Sequence, residues 1–67
     1  MSLIVEASSQ AVAEAAARSL RLEGFLARAV CRGRSSLVIV TCLTHDRELV
    51  LARVKRADAG SRPIAAA

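Results

Sequence analysis

The segment Ser36-Leu-Val-Ile-Val-Thr-Cys-Leu43 decides the fold of this chain. It belongs to the longest run without a charged residue or a glycine, and it is rich in β-branched residues. A run this short, bounded by turn-forming residues at 33–36 and 44–47, predicts a strand that is buried on both faces. The remaining elements can therefore be placed by asking what covers this strand.

The composition is that of one small domain with an aliphatic core. The chain has 67 residues, of which 54% are hydrophobic and 1% aromatic. A core of this size seldom supplies more than about 3–5 kcal/mol, so a disulfide, a metal or a second subunit often adds to it. The formal net charge of +4 favours acidic partners: nucleic acid, an anionic membrane or an acidic protein.

The first half of the chain has a clear local pattern. Residues 3–7 alternate as a short strand, and the Ala-rich stretch 10–23 predicts a helix with a serine N-cap before it. Gly24 stands where a helix needs a left-handed residue after its end. Residues 25–32 alternate as a second strand, and a turn at 33–35 leads into the strand 36–43.

The segment 48–56 is ambiguous. Its residues have helical propensity, but its apolar positions scatter around a helical wheel, so we interpret it as a strand. The predicted fold is α+β in the order β-α-β-β-β, with one Ala-rich helix on a mainly antiparallel sheet. The alternative, in which 48–56 is helical, is β-α-β-β-α. Residues 1–56 form the domain, and 57–67 are expected to be a flexible tail.

An apolar sheet surface is expected to lack a cover, because the predicted fold has one helix for two sheet faces. With the turn centred at 34, Val30 lies opposite Val38, and one face collects the apolar residues that the helix leaves exposed. Such a patch marks an interaction site, most simply with a second copy of the chain in a dimer. The predicted partner face consists of Leu26, Val30, Val38, Val40, Cys42, Leu49 and Leu51.

Basic residues offer a second hypothesis. The same register gathers arginines and a lysine toward one end of the sheet, where they could contact a phosphate backbone. These residues are Arg28, Arg32, Arg34, Arg53, Lys55 and Arg56. Recognition of bases by stacking is not expected, because Phe25 is the only aromatic residue and should face the helix.

No catalytic, cofactor or metal site is predicted. Cys42 precedes His45, the only histidine, but a strand running into a turn gives the pair doubtful hydrogen-bonding reach. The alternation places Cys31 and Cys42 on opposite faces, which argues against a disulfide, and no metal-ligand spacing occurs. We expect a cytoplasmic protein without a membrane segment, since no uncharged stretch approaches the roughly 20 residues that a span needs. The sequence thus predicts a small non-catalytic interaction protein that binds or inhibits another macromolecule, or alternatively a basic nucleic-acid-binding accessory protein.

Overall fold

The fold combines one four-stranded sheet with two helices. The computed structural model describes residues 2–66. The elements are β1 (Ser2–Ala7), α1 (Gln10–Leu22), β2 (Leu26–Arg32), β3 (Ser35–Thr41), α2 (Arg47–Ala57) and β4 (Arg62–Ala66), with a 3-10 turn Thr44–Asp46 before α2. The sheet order is β2-β3-β1-β4, and all neighbouring strands are antiparallel. This β-α-β-β-α-β arrangement is the ferredoxin-like topology. The predicted α+β class with an antiparallel sheet is confirmed.

The first helix forms as its local sequence dictates. The Ser9 hydroxyl accepts a hydrogen bond from the Val12 N–H at 3.3 Å and so caps the N-terminus of α1. Gly24 follows the helix with a φ of +95°, the left-handed conformation that glycine adopts without strain. Alanines at 13, 16 and 17 are buried, and their small size lets α1 pack closely on the sheet.

The β2–β3 turn sets the register of the sheet, and it is one residue shorter than we predicted. Gly33 and Arg34 form a two-residue loop between paired Arg32 and Ser35, with a φ of +62° at Gly33. Positive φ at the first loop residue, without positive φ at the second, is the feature of a type II′ hairpin turn. Val38 therefore pairs with Ala29 rather than Val30. Because side chains alternate, a shift of one residue moves every side chain of β3 to the other face relative to β2.

Our prediction of a strand at residues 48–56 is wrong, because this segment lies within the helix α2. Val50 and Val54 are fully buried one turn apart, while Leu49 and Ala52 remain exposed. This narrow apolar stripe has no broad polar arc opposite it, which explains why a helical wheel does not reveal it. The core above β1 supplies the packing that fixes the segment as a helix.

Residues 62–66 form β4 along the free edge of β1, although we predicted a flexible tail from 57 onward. The chain reaches this edge through a tight turn held by Asp58, which accepts hydrogen bonds from the N–H groups of Ser8 and Gly60 and from the Ser8 hydroxyl. Lys55 Nζ donates to the Ser61 carbonyl oxygen at 2.8 Å. Residue 67 lies outside the described residues.

One hydrophobic core lies between the helices and the sheet. The odd-numbered residues of β1 and the even-numbered residues of β3 point into it, since Leu3 pairs with Val40 and Val5 with Val38. The fully buried large side chains are Leu3, Val5, Leu20, Val38, Val40, Val50 and Val54. Both helices contribute to this core from the same side of the sheet, so no helix of residues 2–66 covers the opposite face.

Candidate interaction surface

The sheet face opposite the helices has an apolar centre, and we call it the open face. Register pairs Val30 with Leu37 and Leu37 with Glu6, so these three side chains lie on one face in one row. The next row runs through Arg28, Ile39 and Ile4, and Leu26 lies at the end of β2. The apolar residues of the open face are Ile4, Leu26, Val30, Leu37 and Ile39.

Exposure varies across this face from its centre to its edge. Leu37 does not belong to the core beneath the helices. It is nevertheless only 6% exposed, because its neighbours on β2 and β1 flank it. Val30, Ile39 and Ile4 are half-buried, and Leu26 at the edge strand is 73% exposed. The patch is therefore a continuous apolar surface rather than a set of isolated leucines.

Charged groups surround the apolar centre. Glu6 pairs with Arg62, whose Nε and Nη2 lie 2.9 Å and 2.8 Å from one carboxylate oxygen. The hydrogen bond from Arg62, a second one from Ser35 and the guanidinium charge all lower the pKa of Glu6. Arg28 and Arg32 lie on the β2 side of the face, and neither has an ion-pair partner among residues 2–64. The β2 side is thus the more basic one.

The structure separates the residues of the predicted partner face. Leu26 and Val30 do lie on the open face, but Val38, Val40 and Cys42 are buried in the core. Leu49 and Leu51 belong to α2 on the other side of the sheet, where Leu51 packs against the core. The prediction of one common face is therefore wrong, for the two reasons described above: the shorter hairpin turn and the helical α2.

The predicted phosphate contacts divide into two groups. Arg28, Arg32 and Arg34 remain together on the β2–β3 hairpin and are exposed. The other three belong to α2, where Arg53 Nε lies 3.0 Å from Glu23 Oε1 and Lys55 holds the Ser61 carbonyl. Arg56 is exposed near the end of α2. Because α2 is a helix rather than a strand beside β3, the six residues do not form one cluster.

Sequence reasoning missed the polar contact around Asp58. This carboxylate is 9% exposed, and the hydroxyl and N–H of Ser8, the N–H of Gly60 and the Lys55 charge all favour its ionised form. Burial opposes these effects, but the pKa of Asp58 is lowered overall. A depressed pKa and fully engaged oxygens make it a poor proton acceptor for catalysis. The signal in the sequence is Asp58-Ala-Gly60, a turn pattern that comes just before Pro63 and Ile64.

The groups with chemical reactivity lie apart. His45 is exposed in the turn before α2 and lies 3.5 Å from Asp46, while the Cys42 side chain is buried. Cys31 pairs across from Ser36 at one end of β3, and Cys42 follows the other end. Within residues 2–66, no three histidine, cysteine or acidic side chains come together in a way that could hold a metal ion.

Comparison with known proteins adds no functional assignment. No protein-family model matches the sequence, and no curated protein has a significantly similar sequence. None of the helices in the described part of the chain is long and apolar enough to cross a membrane. The ferredoxin-like topology serves many unrelated functions, so function has to be argued from the surface itself.

Proposed function

We propose that this chain is a non-catalytic interaction module, which associates through its open face with a second copy of itself and so presents a paired surface to another macromolecule. The observation that supports this proposal is the apolar patch of Val30, Leu37 and Ile39, which spans two neighbouring rows of a sheet face that no helix of residues 2–66 covers. In water such a face costs free energy that burial against an identical apolar face would recover.

The dimensions of the face indicate weak association. Four strands spaced about 4.8 Å apart, each some 20 Å long, give a footprint of about 400 Å². A standard stable interface removes about 800 Å² from each partner. The fraction of dimer formed through this face alone should therefore rise and fall with protein concentration.

The exposed thiol of Cys31 suits a reducing compartment, and we therefore propose that the module is cytoplasmic.

Two exposed leucines provide a matched test. Leu26 is 73% exposed on the open face, and Leu22 is 83% exposed at the end of α1, away from that face. Neither side chain supports the core, so Leu26→Asp and Leu22→Asp should both fold. We expect Leu26→Asp to raise the dimer dissociation constant about tenfold or more, since it buries a charge, and Leu22→Asp to leave it unchanged.

The measurement is the molar mass of the untagged chain by light scattering across a concentration series. Far-ultraviolet circular dichroism verifies that each variant is folded. A wild-type chain that stays monomeric at millimolar concentration would refute the dimer. Equal dissociation constants for both variants would refute the open face as its interface.

A second function, contact with a phosphate backbone, is favoured by the exposed Arg28, Arg32 and Arg34 on one hairpin. Base stacking would not contribute, because Phe25 packs against the core. Three phosphate contacts predict that the logarithm of the binding constant falls with the logarithm of salt with a slope of roughly −2 to −3. Titration of duplex DNA at several salt concentrations tests this, with Arg34→Gln as the variant and Arg56→Gln on α2 as the control. A slope near zero would exclude the function.

A further inference from the structure

The strand β2 has an edge whose backbone groups point into solvent. β3 lies on one side of β2, and no strand of residues 2–66 lies on the other. Arg21 Nη1 donates to the Ala27 carbonyl oxygen at 3.0 Å, so this carbonyl points away from β3. In an antiparallel ladder the N–H and C=O of a residue point to the same side and alternate along the strand. The backbone groups of Ala29 and Cys31 therefore point outward as well.

Arginines flank this edge on both faces of the sheet. Arg18 and Arg21 of α1, with Arg28 of β2, line a groove of about 620 Å³ between the helix and the edge. Arg32 lies on the open-face side of the same strand, by the register of the hairpin. Glu14 is the one carboxylate among the residues that line the groove.

The other acidic side chains are engaged elsewhere. Glu6 pairs with Arg62, Glu23 with Arg53, Glu48 with Arg47 and Asp46 with His45, and Asp58 accepts hydrogen bonds from Ser8 and Gly60. Among the described residues, Glu14 is therefore the one carboxylate beside this edge, against four arginines. An occupant of this edge that carries carboxylates would complement it.

We propose that the β2 edge binds an extended acidic segment of a partner protein by strand addition. The backbone of the segment pairs with the outward N–H and C=O groups of Ala29 and Cys31. Its side chains alternate between the two faces, so that acidic residues meet Arg18 on the helix side and Arg28 and Arg32 on the other. The site is centred on the edge of β2 and takes only Arg28 and Arg32 from the open face, so it does not depend on the dimer.

The chemistry of the edge favours this occupant over two others. A second copy of β2 would bring its own arginines toward Arg28 and Arg32, which like-charge repulsion opposes. A nucleic acid would meet the arginines but would leave the outward backbone groups of Ala29 and Cys31 without the ladder that a peptide provides. A peptide with carboxylates satisfies both the charge and the backbone.

The test uses a fluorescein-labelled peptide that alternates glutamate and threonine, with binding followed by anisotropy. Two control peptides separate charge from backbone pairing: one alternates lysine and threonine, and the other is the acidic peptide with alternate backbone nitrogens methylated on the edge that pairs with β2. We expect the acidic peptide to bind and each control to bind at least about tenfold more weakly. Equal binding of the methylated peptide would overturn strand addition, and binding of the lysine peptide would overturn the role of charge.

A variant of the protein tests the same edge from the other side. Ala29→Pro removes an N–H that points to solvent, and proline is tolerated at such edge positions. We expect a folded variant, as judged by circular dichroism, that loses about tenfold or more in peptide affinity. Unchanged affinity in a folded Ala29→Pro would overturn the proposal, and the methylated peptide decides the question independently should the variant not fold. Arg18→Gln should weaken binding, whereas Arg56→Gln on α2 should not.

Discussion

Truncation of one valine in each face of the sheet tests the register on which the description of the surface depends. Val40 is 0% exposed and faces the core between Leu3 and Ala27, whereas Val30 lies half-buried on the open face. Val40→Ala removes two methyl-sized groups, a transfer loss of about 1.6 kcal/mol. The cavity left behind brings the expected destabilisation to about 2–3 kcal/mol. Val30→Ala should cost less than about 1 kcal/mol, because its site is partly in water already.

These costs are large relative to the total stability, which is about 3–5 kcal/mol for a core of this size. With a urea dependence near 1 kcal/mol per molar, Val40→Ala should lower the urea midpoint by about 2 M or more, and Val30→Ala by less than about 1 M. Circular dichroism gives both midpoints, at a protein concentration low enough for the proposed dimer to dissociate. Equal midpoints, or a greater loss for Val30→Ala, would show that the faces are assigned the wrong way round.

Three further predictions concern polar groups and thiols. Because the pKa of Asp58 is lowered in the folded state, its ionised form stabilises the fold at any pH above the pKa that this carboxyl has in the unfolded chain. This stability is lost as the pH falls through the lower folded pKa. Asp58→Asn should therefore flatten the acid limb of a plot of urea midpoint against pH. A Cβ at Gly60 would lie 2.7 Å from Ser8 Oγ, so Gly60→Ala should destabilise the fold by about 1 kcal/mol, measured by thermal unfolding. Cys31 is exposed and Cys42 is buried, so a thiol reagent should label Cys31 rapidly in the native chain and Cys42 only in denaturant. Mass spectrometry identifies the labelled cysteine. Rapid labelling of both would contradict the burial of Cys42.

Sequence reasoning succeeds where structure is determined locally. The cap at Ser9, the glycine after α1 and the alternation of residues 3–7 each depend on near neighbours, and all three are confirmed. The β2–β3 hairpin is also predicted, since its two strands flank a glycine turn. The length of that turn is also determined locally, but Gly33 is compatible with a two-residue and with a three-residue loop. The choice between them decides which sheet face each side chain of β3 shares with β2.

The rest is determined by distant parts of the chain. The helix α2 has a weak pattern of its own and becomes a helix because Val50 and Val54 complete the core above β1. The strand β4 is short and gains its stability from pairing with β1 at the far end of the sequence. The prediction of an uncovered sheet face assumed a single helix. That assumption is wrong, because α2 joins α1 on the sheet face that contains Val40.

The contact between Asp58 and Ser8 joins residues that are 50 positions apart in sequence. Bringing such remote positions together carries a large loss of chain entropy, so we expect the hairpin of β2 and β3 to assemble first and this contact to form near the end of folding. Interactions absent from the transition state control the rate of unfolding rather than the rate of folding. We therefore expect the Asp58 carboxylate to influence mainly the lifetime of the folded molecule, and to have little influence on how fast the molecule forms.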